Sequence, residues 1–511
     1  MKYQIFFKLI ILSSFLLSSF AGQAQKEASI WYFGQRTGFI FSNGTVHTVE
    51  DSGDNLSNGR AAITFTDRKS GQLLFYGNAT SLWNREHQLM PHGDSLAPQG
   101  FNELPQAALA VPAPGKENQY YVFTLINDPT TTLAVAGLSY SLVDMNLHNG
   151  LGDVAAGTKN QLAGGGYGYQ FTAVPHANGQ DYWVLIRHWN EPIFDTYLLT
   201  TAGIALAHSQ RIGPIQPLQP GGASGGDGFL KASPDGKKLV YLVSDYPQLS
   251  LFDFDTTTGL MSHYLSLDNL LSPGGVSFSP DNSKLYVQNY SQTPSPNYVG
   301  GRAYNVISQY DVAAGSDAAV IASGMSILVN NPTTNIRVDN QSSQGDYTMQ
   351  LGLDGKLYAN SNYLDPTIKQ VTGQANFYVI NFPNRRGFAC DVQYQTFVFD
   401  GAGNTCCGLP NFVQSYFNNL ESNGPVAEPC EALTISPFPN PTAGSFQLRV
   451  ADSCFTPYQV ILYDALGRRV YEQVVSTALS ENLDFNSLAP GLYYLEAKFS
   501  DKTLRAKLTK L

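Results

Sequence analysis

Cysteine is missing from the first three quarters of this 511-residue chain: Cys390, Cys406, Cys407, Cys430 and Cys454 are the only five. A disulfide framework therefore cannot hold the main body together. Zinc is disfavoured by the spacing, because Cys406 and Cys407 are adjacent, no C-x-x-C occurs and no His pair stands near them. The expected use is structural: Cys390 with Cys406 or Cys407, and Cys430 with Cys454, with one thiol left over. Charge is also scarce. Asp, Glu, Lys and Arg make up 14%, against roughly 25% in an ordinary domain. The net charge is −10, and no Lys/Arg cluster interrupts it. Nucleic acid and anionic membrane surfaces, which need a basic footprint, are not expected partners.

Long apolar runs are absent except at the start. There Lys2 and Lys8 precede the run from Ile10 to Phe20, and small Gly22 and Ala24 follow it. This is the pattern of a Sec signal peptide over residues 1–24, cut after Ala24. No later stretch reaches the ~18 apolar residues of a membrane span, so no transmembrane segment is expected in the mature chain. No Cys stands at the cut to carry a lipid anchor. The expected destination is the medium or the outer cell surface, by way of the periplasm.

What the chain does have is turn-formers and aromatics: 47 Gly, 28 Pro, 29 Tyr and 29 Phe. That mixture suits pleated, half-buried strands joined by tight turns. A local phrase recurs, a turn with Gly or Asn and then an aromatic-aliphatic strand. It appears as SGQLLFYG from Ser70, GKENQYYVFT from Gly115, NGQDYWVLI from Asn178, SPDGKKLVYLVS from Ser233, SPDNSKLYVQN from Ser279 and LDGKLYAN from Leu353. Asp-Gly and Asn-Gly permit the positive φ of a tight hairpin. Further strands, 138–146, 249–259 and 307–315, each carry an aromatic, an Asp and a closing turn. Variable spacing of this size suits propeller blades. Six copies plus the two ends predict an all-β fold, a seven-bladed β-propeller over 25–417, with 30–49 and 376–399 sharing one blade to close the ring. The alternative is a set of unrelated sandwich hairpins. A polar linker, 418–433, leads to a small antiparallel β-sandwich at 434–511.

No motif for catalysis is specific. His87, His92, His176 and His188 are the histidines considered for acid–base or metal chemistry, and none has the spacing of a zincin. AGGGYGYQF (163–171) and GGASGGDGF (221–229) open no helix and read as loops rather than a nucleotide site. No G-x-S-x-G occurs. Asp51, Asp54, Asp227, Asp235 and Asp281 are scattered, and DSGDNLSNG (51–59) lacks the spacing of an EF-hand. No catalytic residue, metal or cofactor is assigned. The ligand-binding candidates are Trp83, Tyr182, Trp183, His188 and Trp189, aromatic and Arg-flanked groups at strand ends that can stack on a sugar or peptide. The expected function is a binding, scaffolding or adhesion module for glycan or protein in the central channel and on one face. The alternative is a hydrolase or lyase of extracellular polysaccharide, which needs carboxylates or a His converging on the axis.

Several stretches carry a family resemblance. WYFG (31–34), LLFYGNATSLWNREHQLMPHG (73–93), TAVPHANGQDYWVL (172–185), LKASPDGKKL (230–239) and GLPNFVQSYF (408–417) resemble secreted Bacteroidetes proteins with a propeller-like, WD40-like region. Residues 53–67 depart from that pattern, and a disulfide there is not expected. ISPFPNPTAGSFQLRV (435–450), VILYDALGRRVYEQ (460–473), LDFNSLAPGLYYLEA (483–497) and LRAKLTKL (504–511) resemble the type A sorting domain of the type IX secretion system. The resemblance marks Pro439, Asn440, Pro441, Gly444, Asp464, Gly467, Pro490 and Gly491 as the sorting motif, with Lys507 and Lys510 in the tail. It implies the type IX machinery as partner.

Overall fold

The computed structural model describes residues 25–49, 56, 61–97, 104–129, 136–215, 228–267, 273–329, 348–360, 374–399, 408–420 and 435–511, apart from 35–36, 244–247, 296–297, 439, 443–444, 451–457, 476–482 and 499–502. The expected signal peptide over 1–24, Asp51, Asp54, Asp227, Cys406, Cys407, Cys430, Cys454, Pro439 and Gly444 lie outside them. Among the described residues the chain is all-β, with one short α-helix, Asp317–Ala322. No helix among them is long and apolar enough to cross a membrane.

The recurring phrases land on equivalent places. Each forms the turn into, and at least the first half of, the second strand of a repeating antiparallel unit: Leu73–Gly77, Gln119–Asn127, Tyr182–His188, Lys238–Val243, Lys284–Ser295 and Leu357–Asn360. A seventh unit, of three strands, opens the main body with Ile30–Gly34, Thr37–Ser42 and Thr45–Thr48. Two of the units are fused into one eight-stranded sheet by the long strand Gln161–Pro175. Its first half pairs with Ala136–Asp144, and its second half pairs with Tyr182–His188.

The SPD turns show why the phrase repeats. Ser233 Oγ donates to Asp235 Oδ1 (2.6 Å) and accepts from Lys238 N (2.9 Å). Ser279 does the same with Asp281 (2.6 Å) and Lys284 (2.9 Å). The left-handed position is Gly236 in one (φ +74°) and Asn282 in the other (φ +65°), the two residue types that tolerate it. Asn282 Oδ1 also accepts from Asp235 N (2.8 Å), tying one turn to its neighbour. Asp235 and Asp281 are therefore turn-builders. Asp144, Asp255 and Asp311 cap the later turns by accepting from the N–H two residues on.

The first and last units meet differently from expectation. Residues 30–48 and 374–398 do not share a sheet. They pack ring on ring instead: Phe39 on Phe397 (4.7 Å between centroids) and Phe33 on Phe377 (5.7 Å). Trp31 is wholly buried and touches Phe41 (4.7 Å), Tyr358 (5.8 Å) and Phe412 (5.9 Å). Aromatic burial, not strand exchange, joins the ends.

The segment 408–417 packs inside the main body. Leu409, Phe412, Val413, Tyr416 and Phe417 are buried. Leu409 N donates to Thr348 Oγ1 (3.0 Å), Asn411 N to Ala62 O (3.0 Å) and Asn411 Nδ2 to Ala108 O (3.2 Å). One short stretch thus hydrogen-bonds to three separate units.

Lys231 lies on the first strand of its unit, Gly228–Ala232, and is fully enclosed. Its Nζ donates to Met349 O (2.6 Å) and Val276 O (3.3 Å), on two other units. Burial pushes its pKa down to about 7. Two acceptors suit a neutral amine, which has two N–H bonds, better than an ammonium with three. The unfolded lysine keeps its proton up to about 10.5, so this group's penalty on folding is full below the folded value and fades as pH rises. Between about pH 7 and pH 9 the wild type should gain about 2 kcal/mol over Lys231→Met, measured by urea unfolding. A constant difference between the two would show that Lys231 stays charged inside.

Residues 435–511 form two sheets over one core. Ile435–Phe438, Ser445–Val450 and Leu483–Asp484 make the smaller, and Arg469–Val475, Tyr458–Tyr463, Gly491–Lys498 and Thr503–Lys510 the larger. Leu448, Phe485, Val460, Leu462, Leu495 and Leu508 fill the space between, with Met325 and Phe388 of the main body packed against them. Asp464 and Gly467 close a hairpin: Asp464 Oδ1 accepts from Leu466 N and Arg468 N (both 2.9 Å), and Gly467 has φ +76°. Asn440 ties the entry to the last strand, donating to Lys507 O (2.8 Å) and accepting from Thr509 N (2.9 Å). Lys510 is buried, its Nζ donating to the carbonyls of Phe485, Asn486 and Leu488.

Candidate functional site

The Gly-rich stretch 163–171 is strand rather than loop. Side chains close over its backbone: a Cβ at Gly164 would collide with Tyr197 Oη, and one at Gly165 with Asp128 Oδ2. Gly166 N donates to the same Asp128 Oδ2 (2.6 Å). The close approach lets Tyr167 reach Asp195 on the third strand of the unit, Ile193–Thr200.

Asp195 is the centre of this cluster. Its Oδ2 accepts from Tyr167 Oη (2.7 Å) and lies 3.0 Å from His188 Nε2. Its Oδ1 accepts from Ser209 Oγ (2.5 Å). The two phenol oxygens of Tyr167 and Tyr197 are hydrogen-bonded to each other. The Asp195 side chain is 5% exposed and that of His188 29%. Burial alone would raise the Asp195 pKa, but the bonds from His188, Ser209 and Tyr167 outweigh it, and the carboxyl is held below its usual range. Burial and the bonds to Tyr197 and Asp195 push Tyr167 up, so it stays a neutral donor. The His188 ring stands edge-on to Tyr167 (5.0 Å, 80°). Next to it the Trp189 ring rests on Tyr169 (5.5 Å), and Trp189 N donates to Gly166 O (2.9 Å).

The result is an imidazole fixed by a buried carboxylate, followed in the chain by a half-buried indole. A carboxylate on one ring nitrogen sets the tautomer and leaves the other nitrogen for a ligand. As chemistry the pair is incomplete: the adjacent hydroxyl, Tyr167, has its proton committed to Asp195.

The five predicted ligand residues do not form one shelf. His188 and Trp189 are neighbours in the chain, the first on Tyr167 and the second on Tyr169. Trp83 is stacked on Tyr76 (5.7 Å) in another sheet. Trp183 is buried, donates to Thr256 O (2.8 Å) and has Gly259 against its ring, so it joins two units rather than meeting a ligand. Tyr182 sits at the far end of the strand from His188. His176 orders its own turn, Nδ1 accepting from Asn178 N (2.9 Å). His92 pairs with Asp153 (2.7 Å), and His87 with Tyr76 Oη (3.3 Å). Cys390 is a buried free thiol with a pKa pushed up to about 12 by burial. No group of three or more His, Cys, Asp or Glu able to hold a metal occurs among the described residues. Asp195, Tyr167, Tyr197 and Ser209 escaped the sequence reading. The available signal was an Asp inside the apolar run IFDTYLL, since a carboxylate there must find partners.

Residues 436–510 match the family model of the secretion system C-terminal sorting domain. The chain ends in a type IX sorting domain. That domain marks it as a secreted cargo and implies contact with the secretion machinery and delivery to the outer surface. The two-sheet unit carrying Asn440, Asp464 and Lys510 is the sorting domain. No curated protein matches the chain. Solved structures similar in shape include hydrazine synthase of Kuenenia stuttgartiensis (12% identity, 71% of this chain and 80% of that one, TM-score 0.35). Hsv2 of Kluyveromyces lactis (12%, 74% and 96%, 0.33) and an exo-β-1,3-galactanase of Phanerochaete chrysosporium (10%, 84% and 92%, 0.31) are others. At these scores the likeness bears on neither fold nor activity.

Proposed function

We propose that the cargo body is a seven-bladed β-propeller that binds a glycan outside the cell, through the platform of His188 and Trp189. Seven units support the disc. So do their first strands, since Ile30–Gly34 lies beside Ile63–Thr66, and Gly228–Ala232 lies between Gln161–Pro175 and Pro273–Phe278. The segment 408–417 occupies the middle, which moves the ligand from a central channel to the surface. The observation that carries the binding reading is the buried Asp195, which holds His188 rigid beside an aromatic face. Polar groups locked next to a ring suit a sugar, with its hydroxyls at the rim and C–H bonds on one face.

A hydrolase or lyase is the second reading, kept because the His188–Asp195 pair has the arrangement of a general base. A glycan array and a tryptophan fluorescence titration of the secreted chain test both. His188→Ala and Trp189→Ala should each weaken sugar binding by about tenfold or more, near 1.4 kcal/mol. New reducing ends produced by the wild type and lost in His188→Ala would favour the enzyme. Silence toward sugars and peptides alike would leave a scaffold or adhesin.

A further inference from the structure

The strand that ends at His188 begins at Tyr182, about 20 Å away at roughly 3.3 Å per residue. A second polar cluster gathers there from separate parts of the chain. Glu27 is only 4% exposed. Its backbone carbonyl accepts from Thr66 N (3.2 Å), and its Oε1 lies 3.6 Å from Nε of Arg68, whose side chain is 69% exposed. Its Oε2 is buried with no hydrogen-bond partner. The hydroxyl of Tyr416, on the central segment, is likewise buried and unpartnered, as is Gln25 Oε1 two residues before Glu27. Phe65 links the parts, with its ring 4.6 Å from Tyr120 and 6.3 Å from Tyr416.

Electrostatics agree with this grouping. Burial pushes the Glu27 carboxyl up, and a hydrogen bond from its own backbone N–H and then the charge of Arg68 only partly offset it. Tyr120 and Tyr182 are pushed up to about 12, chiefly by burial and then by nearby charge that includes Glu27. Tyr416 is raised by burial and by Tyr182, Glu27 and Tyr120. Native proteins rarely leave several buried polar atoms unmet in one place. Glu27 Oε2 and Gln25 Oε1 are acceptors, and a phenol oxygen can accept as well. What they lack is a donor. An anion is opposed by Glu27. A primary ammonium has three N–H donors, is drawn to a carboxylate and is favoured by aromatic rings.

We propose that Glu27 and Tyr416, flanked by Tyr120 and Tyr182, form a binding site for a primary ammonium group. That group has two sources. One is an amine ligand such as a lysyl side chain. The other is the α-amino group of Gln25, created if the leader is cut after Ala24.

The test is thermal unfolding of the full secreted chain titrated with propylamine, with neutral propanol as control. The variants are Glu27→Gln and Tyr416→Phe, the second removing a single oxygen so that the fold is kept. A saturable rise in Tm with propylamine alone, weakened about tenfold or more in either variant, supports the ligand source. No rise with propylamine, together with an α-amino group that acetic anhydride labels about tenfold more slowly in the wild type than in either variant, supports the internal source. Absence of a propylamine response and equal labelling in all three chains overturns the site, and assigns the unmet atoms to ordinary solvent.

Discussion

A chain ended at residue 433 should accumulate in the periplasm, while the full chain reaches the medium or the outer surface. The reason lies in the separateness of the two cores. The sorting domain buries its own residues, Leu448 through Leu508, between its two sheets, and the main body closes around Trp31 and Phe39 without them. Removing the domain uncovers Met325 and Phe388 but takes no strand from any main-body sheet. The truncated protein should therefore keep its β-type circular dichroism and lose only its route. Immunoblots of periplasm, surface and medium are the measurement, and undiminished protein in the medium would refute the export role. Lys510→Ala refines the test. Its ammonium donates to three carbonyls around Phe485, so the variant should loosen the folded domain and lower export. If the machinery read only a linear basic end, Lys507→Ala, which leaves that buried cage untouched, would do equal harm.

The second large effect is expected from Trp31→Ala. The residue is wholly buried and spans the junction of the first unit, the last unit and the central segment. Truncating a buried Trp costs about 3–5 kcal/mol, enough to lower Tm by roughly 4–6 °C in a body of this size. Phe41→Leu, a milder change beside the same ring, should cost about a third of that. A loss under about 1 kcal/mol for Trp31→Ala, by urea unfolding, would show that the ends of the body are held by something else.

The turns and the tail were legible in the sequence because their chemistry is local. Ser233-Pro234-Asp235-Gly236 dictates its own hydrogen bonds, and so does Asp464 with Gly467. Closure was not legible. Alternating apolar residues mark 30–48 and 376–398 as strands, but the same pattern serves strand pairing and face packing equally, and packing prevailed. The burial of 408–417 was not legible for a similar reason: Leu409, Phe412 and Val413 look like any apolar run until their neighbours are known. The binding candidates were chosen by residue type, which cannot distinguish Trp183, sealed between units, from Trp189, near the surface. Asp195 was hidden because it stands inside the strand Ile193–Thr200, where an apolar run conceals a single carboxylate.

The segment 408–417 that hydrogen-bonds to three units is also the last piece of the main body to be synthesised. Ala62, Ala108 and Thr348, its hydrogen-bonding partners, all precede it in the chain. A chain translocated only as far as residue 407 therefore lacks these hydrogen bonds to three of its units, whatever its earlier strands have done. Those bonds wait for residues 408–417, just ahead of the sorting domain, so a molecule whose sorting domain has emerged already holds the segment that ties the three units together.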